Sequence, residues 1–386
     1  MSEPTSPSPA APAPTANGAR PRVAVVFGGR SGEHPVSCVT AAGVVSAIDR
    51  ERYDVVPVGI TRTGRWVLVE GDLSALALSG ARLAEVPADG TVVALPQEVG
   101  ARELLPVGRP AGPAALGAVD VVLPLLHGPY GEDGTLQGLL ELSDTRYVGS
   151  GVLASAASMD KQVMKALLVA AGLPVGPYVA FTARRWERER DACRAEVEAL
   201  GWPVFVKPAR AGSSLGITRV GGPEDLDAAV AEAQRHDPKV VVEAAITGRE
   251  IECGVLEDLD GGEPLTSLPG EVAVVDGREF YDFDAKYLVA DEAVELSCPA
   301  DLPADVTRRV RETAVRVFEA MGAEGLARVD LFVCEDGRLY VNEINTMPGF
   351  TPTSMFPRMW AATGMDYPTL VDHLLQLALR RPVGLR

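Results

Sequence analysis

Residues 327–349 read ARVDLFVCEDGRLYVNEINTMPG, and this stretch limits the fold more than any other. Two β-branched, apolar runs flank Glu-Asp-Gly-Arg, which is a hairpin signal. With Asp336 and Gly337 as a two-residue turn, Glu335 faces Arg338; counting outward sets Asp330 opposite Glu343 and Arg328 opposite Asn345. A side-chain period of two puts all four on one face. Opposed carboxylates repel with Cβ atoms only ~5 Å apart, so the pair costs folding energy unless a cation lies between them. Adding Asn345 makes an all-oxygen donor set suited to Mg²⁺ or Mn²⁺ rather than zinc. Arg328 on the same face suits a phosphate or a carboxylate. The competing reading is a solvated sheet face. The register of Arg328 and Asn345, with Thr346-Met347-Pro348-Gly349 ending the strand, favours the metal.

The rest of the chain must supply something anionic for such a site. At 386 residues it exceeds one ordinary core, so two or three domains are expected. A formal charge of −17 without a long acidic run argues against nucleic acid or an anionic membrane as partner. Positive residues are then expected locally, where an anionic substrate sits. Arginine is common, but lysine occurs only at positions 161, 165, 207, 239 and 286, which marks places where a compact ammonium matters. Five scattered cysteines without C-x-x-C read as reduced thiols of a cytoplasmic protein. Nothing resembles a membrane span. Residues 1–21, rich in Pro, Ala and Ser, read as a disordered tail rather than a secretory signal.

Along the chain, RVAVVFGG, a helical stretch and YDVVPVGI form a βαβ unit, and VDVVLPLLHGPYGEDGTLQGLLEL repeats strand, loop and helix. Residues 22–149 therefore read as an α/β domain with a doubly wound parallel sheet and a site at its strand ends. TRTGRWVLVE suggests a hairpin, and the remainder up to residue 118 carries little signal. Residues 150–244 read as a smaller α+β domain, with a helix capped near Ser158. Residues 245–386 read as mainly strands flanked by helices over 304–321 and 367–380.

Other constellations are less specific. VFVKPARAGSSLGITRV sets Lys207 before a Gly/Ser loop whose N–H groups, with Ser213 and Ser214, suit a phosphate. An ordinary hairpin is the alternative, and the order of residues is not that of a Walker A loop. KVVVEAAITGREIE ends a strand at Glu243 and resumes at Glu250; free backbone groups of Ala244, Ala245 and Ile246 would meet an adenine edge, while a strand crossover explains the stretch equally well. FGGRSGEH lacks the G-x-G-x-x-G spacing, which disfavours a nicotinamide cofactor. Glu33 and His127 lie at strand ends where α/β sheets place ligand contacts, and Glu132 and Asp133 read as a helix cap. FYDFDAKYLVADEA reads as a long loop of lid type, with Lys286 and Tyr287 its candidates.

Together FGGRSGEH, LHGPYGEDGTLQG, MDKQVMK, VKPARAGSSLG, FYDFDAKY, ARVDLFV and VNEINTMPGFTPTSM resemble the D-alanine–D-alanine ligase family of ATP-grasp enzymes, in order from residue 22 to the end. The resemblance implies a three-domain α/β and α+β ATP-grasp architecture. It also implies a ligase making D-alanyl-D-alanine for peptidoglycan through an acyl phosphate, in a homodimer, with ATP and two Mg²⁺ or Mn²⁺ held by Asp330, Glu343 and Asn345. On the same basis Lys161, Lys207 and Lys286 would contact ATP, with Glu243, Ala244, Ala245, Ile246 and Glu250 at adenine and ribose. Glu33 would hold the amino group of the first D-alanine, joined to Ser213 and Tyr287, with His127 near it. Arg328 and the Gly349 backbone would stabilise the oxyanion, and Ser354 and Met355 would receive the second D-alanine.

Departures are Pro35, where many members carry an acid, and Ala209 in place of a serine. Tyr287 favours the dipeptide over D-alanyl-D-lactate, which stays as an alternative. So do a ligase of the same fold for another D-amino acid and a nucleotide-binding sensor without turnover.

Overall fold

The computed structural model describes residues 19–71, 73–76, 84–95, 98–101, 103–107, 117–213, 215–274 and 294–384. Most of the proposed tail, residues 1–18, lies outside them.

The first sheet grows from three parallel strands, β1 (Arg22–Gly28), β2 (Asp54–Ile60) and β6 (Val121–Pro124), with α1 (His34–Ala47) as the β1–β2 crossover. It is mixed rather than wholly parallel. β3 (Trp66–Leu68), β4 (Thr91–Ala94) and β5 (Leu105–Pro106) extend it antiparallel, in the order β5-β4-β3-β2-β1-β6. The reason is local: the Thr61 N–H bonds Arg65 O and the Gly64 N–H bonds Thr61 O, a tight turn too short for a parallel crossover. The hairpin expected at TRTGRWVLVE is therefore what breaks the parallel pattern. α2 (Thr135–Leu142) follows β6, and Tyr147 adds a single parallel bridge to Val122.

Next come α3 (Val152–Met159) and α4 (Lys161–Ala170). The helix break falls at Asp160, whose carboxylate accepts the Val163 N–H, so the cap is Asp160 and Ser158 lies inside α3. The second sheet has the order β7-β10-β8-β9, from β7 (Tyr178–Thr182), β8 (Val204–Pro208), β9 (Thr218–Val220) and β10 (Lys239–Ala244). α5 (Ala183–Arg188), α6 (Arg190–Glu198) and α7 (Leu226–Gln234) belong to this unit, and Cys193, Val197, Leu226 and Val230 share its core.

The third sheet joins β11 (Arg249–Leu256), β12 (Leu265–Thr266), β13 (Gly270–Val274), β14 (Val294–Ser297), β15 (Leu326–Val333) and β16 (Leu339–Asn345), with β11 beside β15 and β15 beside β16. α8 (Ala304–Ala320) buries Val310, Ala314 and Val317 against Val329, Leu331 and Val341. α9 (Met355–Thr363), which the sequence reading did not anticipate, and α10 (Tyr367–Arg380) turn back to the first sheet. There Phe356, Trp360, Leu370 and Leu374 share one core with Val23, Val25 and Phe27. This shared core fixes the first sheet's strand ends over the end of β16. Among the described residues no helix is long and apolar enough to cross a membrane.

Leu331 is 1% exposed beneath the hairpin. Leu331→Ala is expected to cost about 3 kcal/mol, read as a lower urea midpoint at unchanged m-value.

Candidate active site

The β15–β16 hairpin carries the site. Arg328 pairs with Asn345 and Asp330 with Glu343, the register expected from sequence, but by a different route. The turn has three residues: Cys334 bonds Arg338 through its N–H, the Gly337 N–H returns to Cys334 O, and Gly337 takes φ +79. That shifts the pairing by one residue, so Leu331 faces Val341, and a bulge between Asp330 and Leu331 shifts it back. Asn342 is the extra residue, and it lies on the open face beside Glu343.

The two opposed acids are compensated by the chain itself. Arg328 donates from Nε to Asp330 Oδ1 at 2.7 Å and from Nη2 to Oδ2 at 2.6 Å, and it lies 3.3 Å from Glu252. Burial works against the guanidinium charge, but Asp330, Glu252 and Glu343 outweigh it and hold the Arg328 pKa well above its usual value. The Asn345 amide spans both acids, at 3.1 Å from Asp330 and 3.4 Å from Glu343.

Facing the hairpin across a cavity of 270 Å³ are cations of the central unit. Lys161 donates to Ala211 O at 2.8 Å and lies 3.9 Å from Glu343. Glu243, at the end of β10, receives Lys207 on Oε2 at 2.6 Å and Lys165 on Oε1 at 3.1 Å. Burial would raise the Glu243 pKa, but the two lysines overcome it and hold it at about 2. The Lys207 pKa rises against its burial, chiefly through Glu243, whereas burial pulls the Lys165 pKa down against Glu243. Ala244, Ile246 and Glu250 also line the cavity. The N–H groups of Ala244 and Ala245 are not free for an adenine edge: they bond Pro177 O at 3.0 Å and Pro203 O at 3.1 Å, as the strand end is stitched to its neighbours.

The third wall comes from the first sheet. β1 ends at Gly28, with φ +90, where a Cβ would meet Ile60 O at 2.4 Å, so the chain turns sharply. Glu33 occupies the cap position of α1 without a side-chain capping bond; its carboxylate accepts the Ser213 hydroxyl of the central glycine loop instead. Ser213 itself takes φ 49, a costly conformation for a residue with a side chain. Glu33 lies against the backbones of Gly128 and Gly212, where an added Cβ would come within 2.3 and 3.1 Å of its Oε2. His127 bonds Met347 O through Nδ1 at 3.2 Å and approaches Thr40 through Nε2 at 3.4 Å; burial lowers its pKa, and the imidazole is neutral. Gly349 and Ser354 adjoin, Ser354 Oγ accepting the Thr351 N–H at 3.1 Å, while Met355 is buried against Gly270. Ser214, Lys286 and Tyr287 lie outside the described residues.

Two residues were missed or misread. Lys165 was signalled only by the scarcity of lysine. Of the expected cap pair neither is the cap residue of α2, which is Gly134: Asp133, just before it, accepts the Thr135 N–H at 3.0 Å, while Glu132 accepts the Gly128 N–H at 2.5 Å and lines the cavity near Arg328. Burial, and then the charge of Glu33, push the Glu132 pKa up to about 8.

For a divalent cation the donor chemistry of Asp330, Glu343 and Asn345 fits, being all oxygen. Among the described residues no cluster of three or more His, Cys, Asp and Glu side chains is disposed to hold a metal. Arg328 places one donor on each Asp330 oxygen, which does not exhaust the lone pairs of the carboxylate.

Known proteins resemble this arrangement over nearly its whole length. The D-ala D-ala ligase N-terminus family matches residues 22–150 and the D-ala D-ala ligase C-terminus family residues 167–376. A D-alanine–D-alanine ligase of Kineococcus radiotolerans is 72% identical over 374 residues, covering 95% of this chain and 99% of the relative. The crystal structure of the VanG D-Ala:D-Ser ligase of Enterococcus faecalis superposes with a TM-score of 0.81 at 36% identity, covering 93% of this chain and 100% of that one. The D-alanine–D-alanine ligase of Coxiella burnetii gives 0.76 at 34%, covering 93% and 94%.

Glu132 offers a test of the site's electrostatics. Folded, it keeps its proton to about pH 8; its ordinary value is 4.5. Folding therefore binds a proton between these values, and stability falls as pH rises through that window. Glu132→Gln is expected to raise Tm over the unaltered chain by at least about 3 °C at pH 8.5 and by nothing measurable below about pH 4.5, checked by calorimetry across pH.

Proposed function

The chain belongs to the D-ala D-ala ligase family, and from that premise we propose that it is an ATP-dependent ligase joining two molecules of D-alanine to D-alanyl-D-alanine for cell-wall peptidoglycan. One observation carries the reading: a single cavity sets lysines 161, 165 and 207 opposite the oxygens of Asp330, Glu343 and Asn345, with Ser213, hydrogen-bonded to Glu33, in its lining. A polyphosphate needs the lysines, and a zwitterionic amino acid needs a carboxylate beside cations.

In this reading a carboxylate oxygen of the first D-alanine attacks the γ-phosphorus of ATP and ADP leaves, giving an acyl phosphate. The amine of the second attacks the acyl carbon, the C–O bond to phosphate breaks, and the amine proton leaves to solvent. No side-chain nucleophile takes part. Lys161 and Lys207 orient the phosphates, and Glu33 holds the first ammonium. Arg328 and the Gly349 backbone would stabilise the tetrahedral oxygen, and Ser354 and Met355 would receive the second substrate. Such positioning and charge stabilisation suffice for phosphoryl transfer followed by acyl transfer. Asp330, Glu343 and Asn345 would hold Mg²⁺, which neutralises phosphate charge when bound. Tyr287 and Lys286 are proposed for the closing loop, and the three units as domains over 22–149, 150–244 and 245–386. Five free thiols and the use of ATP support a cytoplasmic setting.

We further propose a homodimer. Leu139 and Leu142 of α2 and Val152 and Leu153 of the adjacent α3 are exposed, Leu142 and Leu153 by 77% and 79%, and a second copy would cover them. Leu153→Glu is expected to convert the sedimenting species from dimer to monomer; an unchanged dimer places the interface elsewhere.

The deciding assay measures phosphate release from ATP and Mg²⁺ with D-alanine, L-alanine, or D-alanine plus D-lactate, with products identified by mass. D-alanine alone is expected to give dipeptide; a depsipeptide as main product would overturn the substrate assignment. Glu343→Gln is expected to fold normally and lose on the order of 10²-fold or more in turnover.

A further inference from the structure

Lys165 has no role in the chemistry above, and its setting is costly. It lies one turn after Lys161 at the amino-terminal end of α4, where the helix dipole disfavours cations and like charges at i and i+4 repel. It is 2% exposed. Its Nζ lies 3.1 Å from Glu243 Oε1, 3.5 Å from Asn342 O and 5.8 Å from the centre of the Tyr178 ring. Asn342 is the bulged residue of β16, and Glu243 is the next-to-last residue of β10, so this one ammonium touches both walls of the cavity. Glu243 is already paired with Lys207, so satisfying its charge does not by itself require a second lysine.

We propose that Lys165 is a positioning residue of the nucleotide site: by occupying Oε1 of Glu243 it leaves Lys207 only Oε2, and so keeps Lys207 directed at polyphosphate rather than chelated by the carboxylate. The contact to Asn342 O sets the same carboxylate at a fixed distance from the hairpin that carries Glu343. The inference rests on the ATP reading above and concerns polyphosphate binding, not the adenine end. Without Lys165, Glu243 can turn both oxygens to Lys207, and the lysine loses hydrogen-bonding capacity for phosphate.

The test is calorimetric titration of the full-length chain with Mg²⁺-ATP and, separately, with adenosine. Lys165→Met is expected to weaken ATP about tenfold and adenosine by clearly less. Lys165→Arg, which keeps a donor for Glu243, is expected to stay within about threefold of the unaltered chain for ATP. Equal losses for ATP and adenosine would reveal a merely structural role and overturn the proposal, as would unaltered ATP binding by Lys165→Met. Should Lys165→Met not fold, Lys165→Arg decides: retained ATP binding supports the proposal and a tenfold loss overturns it. An unaltered chain that binds neither ligand would defeat the ATP reading and this inference with it.

Discussion

Asp330 opposite Glu343 is the constraint around which the rest of the structure is arranged. Two carboxylates facing each other on a sheet repel, and the fold tolerates them because Arg328 takes Asp330 bidentately while the Asn345 amide spans both acids. That compensation is internal and exchangeable. A guanidinium held by Asp330, Glu252 and Glu343 keeps its charge despite burial, and in the proposed reading its bonds would be traded for those of a cation and phosphate. The hairpin thus carries its own counter-charges on an oxygen-rich face.

The opposite wall uses the same logic with the signs reversed. Glu243 lies between Lys165 and Lys207, so two ammonium groups share one carboxylate in a nearly dry place. Breaking such a set by removing one partner is costly, because it strands a buried charge. Three of the chain's five lysines, 161, 165 and 207, line this cavity, so its ammonium groups are concentrated where the acids face them.

Much of this was legible in the sequence because strand pairing follows counting rules. The functional half of the hairpin came out in register although the turn was misjudged; a three-residue turn and a one-residue bulge offset each other. Neither leaves a clear mark in sequence, since Glu-Asp-Gly suits both turn lengths and bulges depend on packing. The parallel core of the first sheet was readable from its apolar runs, whereas its antiparallel extension was hidden in short strands such as Trp66–Leu68. The role of Glu132 was invisible for another reason. Its position in HGPYGEDG suggests a cap, and only burial in the assembled cavity and the approach of Glu33, distant in sequence, give it a raised pKa.

Glu33 and Glu132 complete the electrostatic argument. A deprotonated pair would set two negative charges beside each other at the end of the cavity where the first sheet meets Ser213. Burial and Glu33 instead keep Glu132 protonated to about pH 8. At neutral pH that end therefore carries one negative charge, on Glu33, while the lysine wall carries positive charge. In the proposed reading, a zwitterionic substrate with its ammonium on Glu33 would have its carboxylate drawn toward the lysines. Ionised, Glu132 would add a second negative charge beside Glu33, a repulsion that its proton removes.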